Sequence, residues 1–195
     1  LGAIEHSCNT YFFQAGRRLG SKVLVEKARR FGFGSPRGLS LGGEETGGLL
    51  PTGDPVNMAV GQGRLLVTPI QAACMVAAFA RAGSPVRPVL LPREIEAPGE
   101  PCVTPASLAV IREGMRRVVL SGTSSHAGLA PFRVLGKTGT AQVSSPGQVG
   151  GPEPHAWFVG FGPEEAPRLA VAVVVEHGGH GGDVAGPIAA ELFRS

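Results

Sequence analysis

The sequence predicts a mixed α/β chain of the α+β type, because helical and extended patterns occupy separate parts of it. Up to Gly122, apolar side chains recur mainly at the three- and four-residue spacing of helices. Beyond Gly122 they form short extended runs, and the last two runs are joined by residues 162–167, a turn-like segment with two prolines. Strands joined by a short turn are antiparallel. We therefore expect an antiparallel sheet flanked by helices.

Two short helices and a long loop region are predicted at the start of the chain. Residues 10–19 and 22–31 have helical apolar spacing and are separated by Gly20-Ser21. Residues 34–63 are dense in Gly, Pro and Thr without a sustained period, which is typical of a surface loop region with few strands.

Two further helices share one start signal. Thr68-Pro69 and Thr104-Pro105 each combine an N-cap residue with a first-turn proline. The first of these helices is expected to run through Arg81 and the second to about residue 121. The second has an apolar stripe of Leu108, Ile111, Met115 and Val118, opposite Arg112, Arg116 and Arg117.

Three strands and a closing helix complete the predicted elements. The strands are expected over residues 133–140, 156–161 and 169–176, and the helix over residues 184–193. Residues 169–175 are apolar without alternation, so we expect this strand to be covered on both faces, as a central strand would be.

The composition describes a folded globular protein with no nucleic-acid partner. The 195 residues are 43% hydrophobic with a net charge of only +3, which excludes disordered and collagen-like chains. The basic residues are scattered in ones and twos and form no binding stripe. The cysteines, Cys8, Cys74 and Cys102, are odd in number and far apart, so we expect isolated, buried or half-buried thiols.

The segment Val-Leu-Gly-Lys-Thr-Gly-Thr-Ala-Gln, residues 134–142, is the most informative for function. Side chains alternate along a strand, so Lys137 and Gly139 are expected on one face and Thr138 and Thr140 on the other. A glycine also lets the backbone of a ligand lie close. Taken alone, the segment is compatible with a solvent-facing strand end or with a strand that binds an anionic peptide.

Four segments in chain order carry a family resemblance. Lys-Thr-Gly at residues 137–139 is a motif of the penicillin-recognising serine enzymes. Ser7-Cys8-Asn9 has the Ser-x-Asn form of another motif, and residues 61–71 and 156–161 are similar to further segments of penicillin-binding protein transpeptidase domains. Over its whole length the chain resembles the class B penicillin-binding proteins, in particular the elongation-type D,D-transpeptidases.

The resemblance implies a fold, partners and a location. The fold would be that of serine β-lactamases and penicillin-binding proteins, with the three C-terminal strands of the sheet present here. The substrate would be the peptidoglycan stem peptide, whose D-Ala-D-Ala bond is attacked to cross-link the cell wall, and β-lactam antibiotics would bind at the same site. No cofactor is implied. The parent protein would be anchored in the inner membrane, face the periplasm and work with a cell-wall glycosyltransferase.

The same resemblance implies roles for six residues. Ser7 and Lys137 would belong to a proton-shuttling network, and Asn9 would hold the backbone of the substrate. Gly139 would lie beside the substrate, while Thr138 and Thr140 would bind its terminal carboxylate, with the Thr140 N–H forming half of an oxyanion hole. A Lys with a lowered pKa suits this chemistry, because an attacking hydroxyl needs a nearby base.

The Ser-x-x-Lys motif that would supply the acylated serine does not occur in these residues. The chain has three lysines, and the residues three positions before them are Leu19, Leu24 and Val134. The resemblance implies that the motif precedes Leu1, together with two strands. We therefore expect residues 1–195 to be an incomplete transpeptidase domain that is inactive by itself.

Other interpretations remain open at this point. His177, His180 and Asp183 are residue types that bind zinc or nickel. Ser7 could combine with His126 or His155 and Asp183 in a hydrolase, and Cys8 could act as a nucleophile if a histidine lay nearby. From another functional class, a non-catalytic penicillin-binding-like module would retain the cleft without being acylated, and a sensor or β-lactamase of the same superfamily is a further alternative.

The missing strands lead to a prediction about solubility. In the family they pair beside residues 169–176, so their absence would expose an apolar strand edge that promotes aggregation. We expect residues 1–195 alone to be poorly soluble or to borrow a strand from another chain. Size-exclusion chromatography and thermal melting test this, and a monodisperse, cooperatively melting monomer would contradict it.

Overall fold

The computed structural model describes residues 1–39, 53–91, 99–143 and 151–195, and these form two compact units. The first unit comprises Leu1–Cys8 and Ala109–Ser195, and the second comprises Asn9–Leu108. The helices are α1 (Gly2–Glu5), α2 (Asn9–Arg30), α3 (Pro55–Met58), α4 (Pro69–Ala80), α5 (Pro105–Leu120) and α6 (Ala185–Arg194). The strands are β1 (Leu135–Ala141), β2 (His155–Gly162) and β3 (Leu169–Val175).

The helices of the second unit follow the local signals of the sequence. α2 is interrupted at Gly20, whose φ of 76° and ψ of 160° are not helical, so the predicted separation into two helices is confirmed. α4 begins as predicted, because Thr68 and Gln71 form a reciprocal capping box ahead of Pro69. The predicted loop region contains the short helix α3, which the sequence interpretation missed, and its residues 40–52 lie outside the described residues.

The sheet of the first unit is antiparallel in the order β1-β2-β3. Lys137 pairs with Val159 and Gly139 with Trp157, while Thr138 pairs with Phe158. Paired residues share a face of the sheet. Lys137 and Gly139 therefore lie on the face opposite Thr138, as the alternation predicted.

The expectation that β3 is a central strand with two covered faces is wrong for the described residues. β3 is hydrogen-bonded to β2 alone among the described strands, and its burial alternates. Val171 and Val173 are buried in the core that includes α6, whereas Ala172 and Val174 on the other face are only half-buried. The sequence did not show this alternation, because alanine and valine are both apolar.

The predicted amphipathic helix α5 is confirmed, with Met115 and Val118 buried. Arg112, expected on its polar face, instead lies 5.1 Å from the centroid of the buried Phe161 ring and donates a hydrogen bond to the Glu164 carbonyl. A guanidinium can pack on an aromatic face while its N–H groups remain hydrogen-bonded.

No helix of the described residues is long and apolar enough to cross a membrane.

The main core of the first unit depends on close contact between a ring and the backbone. Phe158 is fully buried, and its ring lies over Gly136 of the neighbouring strand. An alanine Cβ at position 136 would come within 2.3 Å of the ring. The glycine is therefore required for Phe158 to fill the core.

We predict that Gly136→Ala destabilises the protein by about 1–3 kcal/mol, because the ring or the strand must move to accept the methyl group. Urea-induced unfolding measures the change in the free energy of unfolding. Gly2→Ala is the matched control, since a Cβ there meets nothing within 4 Å and should cause no loss. Equal stability of the two variants would show that the core tolerates the methyl group.

Candidate active site

Ser7 lies at the end of α1 in an uncommon backbone conformation. Its φ is 52°, in the left-handed region that non-glycine residues rarely adopt. The next peptide turns back onto the helix, where the Cys8 N–H donates to the Ala3 carbonyl at 2.9 Å.

Cys8 is exposed, so the expectation of buried or half-buried thiols holds for Cys74 and Cys102 but is wrong for Cys8.

Glycines hold α1 against the residues around α5. A Cβ on Gly114 would lie 2.8 Å from the side chain of Ile4, and one on Gly122 would lie 2.5 Å from the Glu5 carbonyl oxygen. Ser121 Oγ donates to Glu5 Oε1 at 2.6 Å. These contacts fix the end of α1, and thereby the position of Ser7.

Lys137 reaches Ser7 from β1. Its Nζ donates a hydrogen bond to Ser7 Oγ and a second, at 2.9 Å, to the carbonyl oxygen of Thr138. A lysine ammonium that donates to a hydroxyl oxygen leaves the hydroxyl proton available for another acceptor. Two of the predicted site residues, 130 positions apart in the sequence, are thus brought into direct contact.

Burial lowers the pKa of Lys137 to about 8 from an ordinary value of 10.5. The unfolded chain therefore binds this proton more tightly than the folded protein does. Below about pH 8, burial of the charged amine lowers the free energy of unfolding. This penalty decreases as the pH rises from about 8 towards 10.5. Near neutral pH the amine can both give and take a proton at modest cost.

The two threonines of the segment lie on the other face of β1. Thr138 Oγ1 is 2.6 Å from Thr123 Oγ1, and Thr140 pairs with Ala156 across the strands. Gly139 is on the face of Lys137, beside Trp157. All three residues of this segment, Thr138, Gly139 and Thr140, are half-buried.

Asn9 begins the second unit, whereas Ser7 and Lys137 belong to the first. It is the first residue of α2 and is exposed. The role that the resemblance implies for Asn9 stays a prediction.

The sequence interpretation missed Thr123 and the glycines at 181 and 182. A Cβ on Gly181 would lie 2.2 Å from the Trp157 carbonyl oxygen and 2.4 Å from that of Gly139. A Cβ on Gly182 would lie 2.2 Å from the Thr123 carbonyl oxygen. The repeated glycines of residues 178–182 were the available signal. Gly181 packs against the backbone of β1 and β2, and Gly182 against the Thr123 carbonyl.

Three of the histidines assigned to the alternative sites form hydrogen bonds with one another or with Asp183. His126 Nε2 and Asp183 Oδ1 are 2.8 Å apart, and the His177 N–H donates to His155 Nδ1 at 3.0 Å. The hydrolase alternative thus keeps its His126–Asp183 pair, but its serine is engaged elsewhere, since Ser7 accepts a hydrogen bond from Lys137. Within the described ranges, no group of three His, Cys, Asp or Glu residues could hold a metal ion.

Residues 1–194 match the family model described as the penicillin binding protein transpeptidase domain. The chain belongs to this family. Stage V sporulation protein D of Bacillus subtilis is 33% identical to this chain over 100% of its residues. The peptidoglycan D,D-transpeptidase MrdA of Acinetobacter baumannii is 32% identical over 94% of the chain. The chain spans 33% and 32% of their lengths.

Solved structures of the transpeptidase family confirm the expected fold. Pseudomonas aeruginosa PBP2, crystallised in complex with WCK 5153, matches with a TM-score of 0.84 and 35% identity, over 97% of this chain and 45% of that one. Penicillin-binding protein A of Mycobacterium tuberculosis, solved as an imipenem acyl-enzyme complex, matches with a TM-score of 0.81 and 30% identity, over 96% and 46%.

We predict that Lys137 of this transpeptidase-family chain titrates near pH 8 in the native protein. Competitive labelling with a trace of acetic anhydride, read by mass spectrometry of the peptide containing Lys137, measures the pKa of that amine. In urea the midpoint should return to about 10.5, because burial is lost. The same midpoint in native and unfolded protein would contradict the effect of burial.

Proposed function

We propose that this chain is part of a D,D-transpeptidase that cross-links peptidoglycan through an acylated serine of its own. The observation that carries the proposal is the hydrogen bond between Lys137 and Ser7, made by the amine of a half-buried lysine whose pKa is lowered to about 8. An amine in this state can pass a proton to or from a neighbouring hydroxyl near neutral pH. Membership of the transpeptidase family supports the same chemistry.

In this proposal Ser7 and Lys137 form a proton relay. Lys137 donates to Ser7 Oγ, so that Ser7 can direct its own proton to the leaving amine of the peptide bond under attack. Lys137 then returns a proton to Ser7, and the hydroxyl proton of the attacking serine, taken up by the lysine of the Ser-x-x-Lys motif in the longer protein, restores the proton of Lys137. The leaving group departs as a neutral amine while an acyl bond forms on the attacking serine.

The proposed substrate lies along the edge of β1 opposite β2. Among the described strands β1 pairs with β2 alone, so no described strand occupies its other edge. A stem peptide ending in D-Ala-D-Ala would add there as a strand beside Lys137–Thr140, with Gly139 allowing close approach. A ligand at an edge can reach both faces, which lets its carboxylate contact Thr138 and Thr140. Asn9 would hold its backbone.

The acylated serine is proposed to belong to a longer protein. Residues 1–195 contain no Ser-x-x-Lys motif, which fits the interpretation of this chain as an incomplete domain. We extend the proposal to acylation by β-lactams, supported by the imipenem acyl-enzyme of the mycobacterial relative. A periplasmic or other extracytoplasmic location, an inner-membrane anchor and a glycosyltransferase partner are proposed for the longer protein, in keeping with its cell-wall relatives.

We predict that fluorescent penicillin labels the longer protein covalently and that Ser7→Ala slows this acylation about 100-fold or more, because the relay is lost. Acylation kinetics read by gel fluorescence measure the rate. Ser125→Ala, which changes an exposed serine of the same unit, is the matched control and should react at the parent rate.

The outcomes separate the competing functions. Absence of a covalent adduct on the longer protein, with reversible penicillin binding retained, would favour the non-catalytic module. A stoichiometric adduct on residues 1–195 alone would show that the nucleophile lies within them, and parent-like kinetics of Ser7→Ala would remove Ser7 from the relay.

A further inference from the structure

The turn Ser121-Gly122-Thr123, which follows α5, is fitted to the end of α1. Ser121 Oγ donates to the Glu5 carboxylate at 2.6 Å, and the Thr123 N–H donates to the Glu5 carbonyl oxygen at 3.4 Å. Gly122 allows this approach, because a Cβ there would lie 2.5 Å from the same carbonyl oxygen. The turn therefore touches the helix end that carries Ser7.

Thr123 also reaches β1. Its Oγ1 lies 2.6 Å from Thr138 Oγ1, and both residues are half-buried. Its carbonyl oxygen packs against Gly182, where a Cβ would come within 2.2 Å. Thr123 is thus held by its backbone against α1 and Gly182 and by its hydroxyl against β1.

When an anion is bound to Thr138, only one direction of the hydrogen bond between the two hydroxyls is useful. Each hydroxyl carries a single hydrogen, and a carboxylate can only accept. If Thr138 donates to Thr123, it has no hydrogen left for a carboxylate. If Thr123 donates to Thr138, the hydrogen of Thr138 is free for the anion, and the first bond strengthens the second.

We propose that Thr123 is a positioning residue that donates to Thr138 and so makes Thr138 a hydrogen-bond donor to the terminal carboxylate of the substrate. This inference rests on the carboxylate role proposed above for Thr138. Thr123 itself touches Thr138 and not the reacting atoms, so its effect should appear as discrimination between ligands with and without the carboxylate.

The test compares acylation of the full-length protein by benzylpenicillin and by its methyl ester, which lacks the anion. In Thr123→Val, which keeps the shape and removes the hydroxyl, the rate constant for the acid should fall about tenfold, in line with a hydrogen bond to a charged group. The rate constant for the ester should stay unchanged. Thr123→Ser retains the hydroxyl and should restore the rate for the acid.

A double-mutant cycle shows whether Thr123 acts through Thr138. If it does, Thr138→Val and the double variant with Thr123→Val should react with the acid at the same rate. Ser124→Ala is the matched control, because the buried Ser124 hydroxyl donates to the Val118 carbonyl at 3.2 Å and not to β1. It should leave the acid-to-ester ratio of the rate constants unchanged.

Several outcomes would overturn the inference. These are an equal loss for acid and ester in Thr123→Val, an unaltered rate for the acid, or effects that multiply in the double variant. If Thr123→Val does not fold, as judged by circular dichroism, Thr123→Ala carries the same comparison. Failure of the parent protein to react with either compound would instead contradict the proposed transpeptidase function.

Discussion

The hydrogen bond from the half-buried Lys137 to Ser7 is the contact around which the first unit is organised. A cation removed from water needs oxygen acceptors, and Lys137 finds them in the Ser7 hydroxyl and the Thr138 carbonyl. To bring Ser7 there, the chain leaves α1 through a left-handed residue and packs that helix on Gly114. Backbone strain of this kind persists where the surrounding packing enforces it, and it concentrates at functional sites.

The proposed chemistry of the site is divided between the two faces of β1. Proton transfer is proposed for the face of Lys137, where burial lowers the pKa of the amine. Anion recognition is proposed for the face of Thr138, where neutral hydroxyls are linked to one another. Alternation along one short strand places the amine and the threonine hydroxyls on opposite faces. A carboxylate at the proposed site would therefore not need to pair with Lys137, an ion pair that would favour the charged form of the amine.

Local signals in the sequence predicted elements well, and long-range contacts poorly. The start of α4 was predictable because Thr68 caps its own helix, and the break in α2 because Gly20 adopts a positive φ. The Lys137–Ser7 pairing was accessible only through the family resemblance, since 130 residues separate the partners. Thr123 was missed because its bond to Thr138 depends on how a turn meets a strand, and the exposure of Cys8 was missed because it depends on the chain reversal at Ser7.

The exposure of Cys8 offers a practical way to observe the site. Cys74 and Cys102 are buried, and burial raises the pKa of the Cys102 thiol, so both are poorly disposed to react with a polar maleimide. Within this chain such a reagent would attach at Cys8, one residue from the proposed proton relay. A dye placed there would sit next to Ser7 in the sequence, and its emission would give an optical record of ligand arrival and departure.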